Sequence, residues 1–304
     1  MNLNSPIQYV RQDQIDKTKW DCCIDNAQNG LIYGYSYYLD AMSKNWDALI
    51  MNDYEAVMPL TWNKKFGIRY LYQPPFTQQL GIFSSSQLSS DTINIFFNHS
   101  KQHFQFGEIG LNFENKIGGG LARNNFILSL NKNYLETEEN YNSDLKKNLR
   151  RAQKKELVYT KSDNFELTIE LFKEHYSKNL PHLENESFEL FKNVCQQVAE
   201  RESLLIREVK DRENNLLSTA IFFQDKKRIY LILSATPPDG RAADAQHFLI
   251  ANLIREFENC PLLLDFEGSS IPSIAYFNQR FGAENQPYYF VKWNNLPWPL
   301  KLFK

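Results

Sequence analysis

A mixed α/β fold in two similar halves is the fold class the sequence predicts, and three observations carry it. The chain has 304 residues, more than one domain usually holds. Its composition is that of a globular protein, 42% hydrophobic and 23% charged, with a formal net charge of −2. Strand-like and helix-like segments follow one another in an order that nearly repeats between the halves, although residue identity does not.

In the first half PIQYV reads as a strand, 13–26 as a helix and YSYYLDAMSK as a short helix. WDALIMN, YEAVMPLTW and RYLYQ are strands, 91–104 is a helix, and FGEIGLNF and NFILSLN are strands. SDLKKNLRRAQKK (143–155) comes next, with six cations in the ten positions 146–155. On a helix these fall within roughly half the circumference, opposite Leu145, Leu149 and Ala152. One side therefore reads as core and the other as a positive surface, either a solvated face or a phosphate contact through Arg150 and Arg151.

In the second half Leu157–Thr160 is a short strand, Phe165–Asn179 has helical spacing, and Ser187 caps a helix running to about Arg201. SLLIREV, LLSTAIFFQ and IYLILSAT, separated by DRENN and DKKR, read as an antiparallel meander. The loop PPDGRAAD leads to a helix at about 244–258, and PLLLDFE (261–267) is a buried strand. A helix starts near Pro272 and ends on Gly282, and PYYFVKW closes as a strand. The expected division is a first domain 1–142, a basic linking helix 143–155 and a second domain 156–304. One large mixed sheet is the competing arrangement.

Several classes are excluded. No run of about 18 apolar residues is present, so no transmembrane helix is expected, and MNLNSPIQYVRQDQ has no secretory pattern. Cys22, Cys23, Cys195 and Cys260 form no C-x-x-C pair and no zinc-ligand spacing, so they read as structural thiols of a cytoplasmic protein without a metal. His99 and His103 are i,i+4 without the glutamate of a metalloprotease motif. Aromatic content is high, 14%, which suits core and ligand groove alike. The C-terminal NNLPWPLKLFK is aromatic and basic. It suits proximity to a membrane surface, or docking back onto the fold.

SDLKKNLRRAQKKEL resembles the basic helix that precedes the second half in Fem-type (FemAB-like) tandem transferases of the acetyltransferase-like GNAT fold. GRAADAQHFLIANLIREF and LLLDFEGSSIPSIAYFNQRFGA are similar to that family's last helix, strand and helix. YSYYLDAMSKNWDALI and YLYQPPFTQQLGIF resemble an uncharacterised bacterial branch of the superfamily. The resemblance implies two tandem GNAT-like domains and an acyltransferase with no tightly bound cofactor. Acyl-CoA or aminoacyl-tRNA would be the donor co-substrate, and a small-molecule amine, such as a cell-envelope precursor, the acceptor. It also implies a gap between the fourth and fifth strands of the sheet, where the donor lies.

The implied donor junction is SATPPDGRAADAQ, with Ser234, Ala235, Thr236, Gly240, Arg241, Ala242 and Ala243 as its binding residues. The usual phosphate signature, counted from Arg241, puts Asp244 and Gln246 where small residues belong. Asp244 would set a carboxylate where phosphate sits, or cap the helix. Asn278 stands where many GNAT enzymes carry a thiolate-protonating tyrosine, and Tyr276 is two residues too early.

Asp265 and Glu267 alternate on the strand LLLDFEG, so both carboxylates share a face and could deprotonate an ammonium nucleophile. Pairing with Arg280 or with backbone is the structural alternative. Ser269 is either a ligand contact at the strand end or part of a turn and cap. Gln78 and Gln79, in QPPFTQQLG, offer donors and acceptors to a polar acceptor, or belong to a surface turn. A second reading of the whole chain is a non-catalytic GNAT-fold protein that binds nucleic acid or a phosphorylated envelope ligand.

Overall fold

A computed structural model describes residues 7–176, 180, 183–268, 271–299 and 301. The chain forms two compact units: Met1–Arg123 together with Pro287–Lys304, and Asn124–Gln286. Strands and helices are numbered in chain order.

Unit 1 holds β1 (Ile7–Val10), α1 (Lys17–Asn26), α2 (Ser36–Met42), β2 (Trp46–Met51), β3 (Ala56–Lys65), β4 (Ile68–Leu71), β5 (Phe83–Ser84), α3 (Ser90–His103), β6 (Phe106–Gly110) and β7 (Leu121–Arg123). Its last strand comes from the far end of the chain, β15 (Tyr288–Asn294). The sheet order is β1-β2-β3-β4-β6-β15-β7, with β5 also on β3. β4 and β6 are parallel, whereas β6 and β15 are antiparallel with Phe290 opposite Gly110. Asp16 caps α1 by accepting from the amides of Thr18 and Lys19, and Ser89 caps α3 by accepting from that of Thr92, which satisfies otherwise orphaned helix N–H groups.

Unit 2 holds β8 (Phe126–Ser129), α4 (Tyr134–Glu139), α5 (Ser143–Lys154), β9 (Val158–Ser162), α6 (Phe165–Tyr176), α7 (Asn185–Ala199), β10 (Leu204–Lys210), β11 (Leu216–Gln224), β12 (Arg228–Ala235), α8 (Pro238–Ala242), α9 (Ala245–Glu256), β13 (Leu263–Asp265), α10 (Pro272–Gln279) and β14 (Glu284–Asn285). The order is β14-β8-β13-β12-β11-β10-β9. The meander β10-β11-β12 is antiparallel as its turn residues predict, and β13 runs parallel to β12. The basic helix is α5. Asn142 caps it, and Leu145, Leu149 and Ala152 are buried in the unit 2 core with Leu249, Ile250 and Leu253 of α9.

The compact units divide the chain differently from the expected 1–142, 143–155 and 156–304. Each half ends on a strand, and each of those strands joins the other half's sheet. β8 pairs with β13 and β14 in unit 2, and β15 pairs with β6 and β7 in unit 1. Strand propensity marks where a strand forms but not its partner, because pairing is a long-range choice. The linking helix is likewise a core element of unit 2. Three local expectations also change. The loop PPDGRAAD contains the short helix α8, the strand 261–267 shortens to Leu263–Asp265, and an unforeseen helix, α4, precedes α5. The helix expected to reach Asn179 is described to Tyr176, and 177–179 lie outside the described residues.

Candidate functional site

The pairing of β12 with β13 begins at Arg228↔Leu263 and ends at Tyr230↔Asp265. β12 then runs on to Ala235 with no further partner on that side among the described residues. A bulge against β11 follows the last paired position. Leu231 opposes Phe222 and Leu233 opposes Ile221, so Ile232 is an extra residue in β12. Such an insertion bends the strand and increases its local twist. Leu231, Ile232 and Ser234 along the freed edge are only half-buried. The strand pairing at the expected position of the gap thus ends at Tyr230↔Asp265, where β13 itself ends.

Ser234, Ala235, Thr236, Gly240, Arg241, Ala242 and Ala243 are brought together where β12 passes through α8 into α9. Much of their polar capacity is used within the protein. Arg241 Nη1 donates to the Thr236 carbonyl at 2.8 Å, and Thr236 Oγ1 donates to Gln246 Oε1 at 3.0 Å. Ser218 Oγ donates to the same Gln246 oxygen at 2.6 Å, and Lys155 Nζ donates to the Ala242 carbonyl at 2.7 Å. Gly240 is there for packing, since a Cβ would lie 1.7 Å from the Leu217 carbonyl oxygen of β11.

Asp244 precedes α9 in the left-handed conformation, φ +57°, and its side chain accepts no capping hydrogen bond. The capping expectation is thus corrected. Its carboxylate instead takes a forked pair from Arg151, Nε–Oδ2 2.9 Å and Nη2–Oδ1 3.2 Å. Arg151, expected at a ligand phosphate, is tied down on the protein's own carboxylate. Asn148 and His247 extend the cluster. Arg151 Nη2 donates to Asn148 Oδ1 at 2.8 Å, and Arg280 Nη2 donates to His247 Nε2 at 2.7 Å. Arginine can only donate, so Nε2 accepts and the ring proton lies on Nδ1, 3.7 Å from Asp244 Oδ1. Burial, then Arg280, pushes the His247 pKa down to about 4. No sequence spacing joins positions 148, 151, 244, 247 and 280, so the cluster was missed.

Asp265 is a member of a buried network and not an open base. It is 1% exposed and accepts from Arg228 Nη1 at 2.8 Å, from Asn125 Nδ2 at 3.3 Å and from the Glu267 amide at 3.0 Å. Burial pushes its carboxyl up, and Arg228 opposes that. Its partner is Arg228 and not Arg280. Glu267 does not share its face by strand alternation, because β13 ends at Asp265 and Glu267 turns to φ +62°. Glu267 is half-buried just beyond the strand. Asn278, at the position expected for tyrosine, is 2% exposed, while Tyr276 is exposed and donates to Asp144 at 3.2 Å. Ser269 lies outside the described residues.

Arg150 is exposed on α5 beside a cavity of about 510 Å³ that Lys146 and Leu149 share with Glu138 and Glu139 of α4, so its surroundings carry both signs of charge. In unit 1, Gln78 and Gln79 belong to no surface turn. Gln79 is 1% exposed and donates to Gln78 Oε1 at 2.5 Å. Among the described residues β4 pairs with β6 at Leu71↔Gly107, and the segment after β4 returns to Gly110 at the end of β6 and to Leu111 just after it. Gln73 Oε1 accepts from the Gly110 amide at 2.9 Å, and the Leu80 amide donates to the Gly110 carbonyl at 2.7 Å. A Cβ at Gly110 would lie 2.7 Å from the Gln78 carbonyl oxygen, so this glycine permits the close fit. The strand gap of unit 1 is plugged by its own chain.

Among the described residues no group of His, Cys, Asp and Glu is placed to hold a metal, and no helix is long and apolar enough to cross a membrane.

No known family profile matches the chain, and no curated protein matches it. Solved structures do. FemX superposes over 97% of this chain and 99% of its own, with TM-score 0.68 and 12% identity. A conserved protein of unknown function from Bacteroides thetaiotaomicron covers 92% and 98%, with TM-score 0.57 and 9% identity. The C-terminal domain (DUF2156) of a putative lysylphosphatidylglycerol synthetase from Agrobacterium fabrum covers 94% of each chain, with TM-score 0.54 and 8% identity. The chain has a mixed α/β architecture in two compact units. More particularly, its fold is that of FemX.

Proposed function

We propose that the protein is a transferase that moves an acyl or aminoacyl group from a carrier to an amine, with the donor lying against the freed edge of β12. The observation that carries this reading is the loss of β12–β13 pairing after Tyr230↔Asp265. Backbone N–H groups there would polarise the donor carbonyl, which is catalysis by positioning and fixed dipoles. The amine nitrogen forms the new amide bond and the ester or thioester bond to the carrier breaks. The ammonium proton goes to a base, and the carrier leaves as hydroxyl or thiol. Glu267 is the carboxylate assigned to the proton, since Asp265 is held by Arg228.

The chemistry where β12 leads into α9 favours an aminoacyl ester, as on tRNA, over acyl-CoA. The Asp244 carboxylate and the Gln246 side chain stand where a CoA pyrophosphate would meet α9. An anion favours a helix N-terminus, but Asp244, the residue just before α9, already sets a carboxylate near it, paired with Arg151. The acceptor would be a small-molecule amine, such as a cell-envelope precursor, in the cytoplasm. Because Asp265 is locked in an ion pair, a second reading keeps the fold as a non-catalytic binder of nucleic acid or a phosphorylated envelope ligand. Thermal shift and transfer assays with acetyl-CoA, a long acyl-CoA and charged tRNA separate the readings. Stabilisation by charged tRNA with transfer to an added amine is expected. Binding of uncharged and charged tRNA alike without transfer supports the binder, and no response to any donor sinks the transferase.

A further inference from the structure

Unit 1 contains a cavity of about 360 Å³ that no part of the transferase reading uses. That volume lies at the small end of ligand sites. Its floor is built from polar side chains that are nearly inaccessible: Asn29 at 5% exposure, Ser84 at 3% and Asn115 at 2%. They are held rigidly around one backbone segment. Asn29 Nδ2 donates to the Ile82 carbonyl at 2.8 Å, Asn115 Nδ2 donates to the same oxygen at 3.1 Å, and the Ile82 amide donates to Asn115 Oδ1 at 2.5 Å. Asn29 Oδ1 accepts from the Ser84 amide at 3.1 Å, and Asn29 Nδ2 also donates to Asn112 Oδ1 at 3.1 Å.

This network leaves hydrogen-bonding capacity over. Asn29 Oδ1 keeps a second lone pair and Asn115 Nδ2 a second N–H. Above the floor, Gln28, Ser86 and Gln87 add exposed amides and a hydroxyl. Amides and hydroxyls both donate and accept, as a ligand hydroxyl does. An anion would call for donors alone and a cation for acceptors alone. The charged lining residues, Glu114 and Lys116, are of opposite sign. The remaining apolar lining is the half-buried Leu88 and the buried Ile93.

We propose that this cavity is a binding site for an uncharged polyhydroxylated ligand of about one sugar ring. The site stands within unit 1 and does not depend on the transferase reading. Saturation-transfer NMR on the full chain tests it, with glucose and N-acetylglucosamine as probes and N-acetylglycinamide and inorganic phosphate as comparisons. Transfer from at least one sugar is expected, and the Gln28→Ala, Gln87→Ala double variant should weaken it about fivefold or more. Those residues are exposed, so the variant should keep the parent melting temperature. The proposal is overturned by no transfer from either sugar, by transfer unchanged in the double variant, or by saturation of N-acetylglycinamide or phosphate alone.

Discussion

His247 and Glu256 show how surroundings set the charge of single residues in unit 2. Burial and Arg280 hold the His247 pKa at about 4, against the pull of Asp244. An unfolded histidine takes its proton near pH 6.5, so stability should fall as pH drops from about 6.5 to 4. An NMR titration of the His247 ring should give a midpoint near 4, and a midpoint near 6.5 would mean that the cluster is open to water. Glu256 is the converse case. Burial works to raise its carboxyl, but hydrogen bonds from Arg207, Tyr159 and Lys161 overcome this and hold it at about 2. Its contribution is fully present above the ordinary value of 4.5 and disappears as pH falls toward 2. Urea midpoints measured across that window should therefore fall more steeply for the parent than for Glu256→Gln. Asp244 offers a test of donor choice. If its carboxylate closes α9 to phosphate, Asp244→Asn should strengthen acetyl-CoA binding roughly threefold or more by calorimetry. Unchanged binding would remove the electrostatic argument against CoA. Arg151→Gln should cost under about 1 kcal/mol, because its side chain is largely exposed.

At the scale of elements, the decisive features are a bulge and a glycine. After three positions paired with β13, β12 runs on past the extra residue Ile232 with that edge unpaired among the described residues. Gly240 lets α8 press against β11, and a methyl group there meets the Leu217 carbonyl, a backbone atom that cannot swing aside. Gly240→Ala should therefore cost about 2–3 kcal/mol in urea unfolding, with the loss confined to unit 2. A cost near zero would show that α8 can move away from β11. The basic helix α5 combines both kinds of role. Its apolar stripe was legible from spacing, and Leu145, Leu149 and Ala152 are buried as that stripe requires. Which of its cations would be occupied was not legible, since the partner of Arg151 is Asp244, 93 positions away.

At the scale of the whole molecule, the chain passes between the units twice, at 123/124 and 286/287, and each unit's sheet takes a strand from the opposite half. A chain ending at Gln286 lacks β15, which lies between β6 and β7 in unit 1. Its amides should lose protection from hydrogen exchange throughout the unit 1 sheet, while Asn124–Gln286 produced alone should keep cooperative unfolding. A folded unit 1 without β15 would refute this account of the exchange. Residue pattern by itself determined most helices and strands, the antiparallel meander β10-β11-β12 and the buried face of α5. Those features follow from hydrophobic periodicity and turn chemistry, which act over a few residues. Only the tertiary structure decided that NFILSLN and PYYFVKW would each complete the other half's sheet. It also decided that Asp265 would meet Arg228, that Gln78 and Gln79 would lie inside a plug, and that Asn29, Ser84 and Asn115 would floor one cavity. Each of these joins residues far apart in sequence, and the packing that selects such partners leaves no local periodic trace.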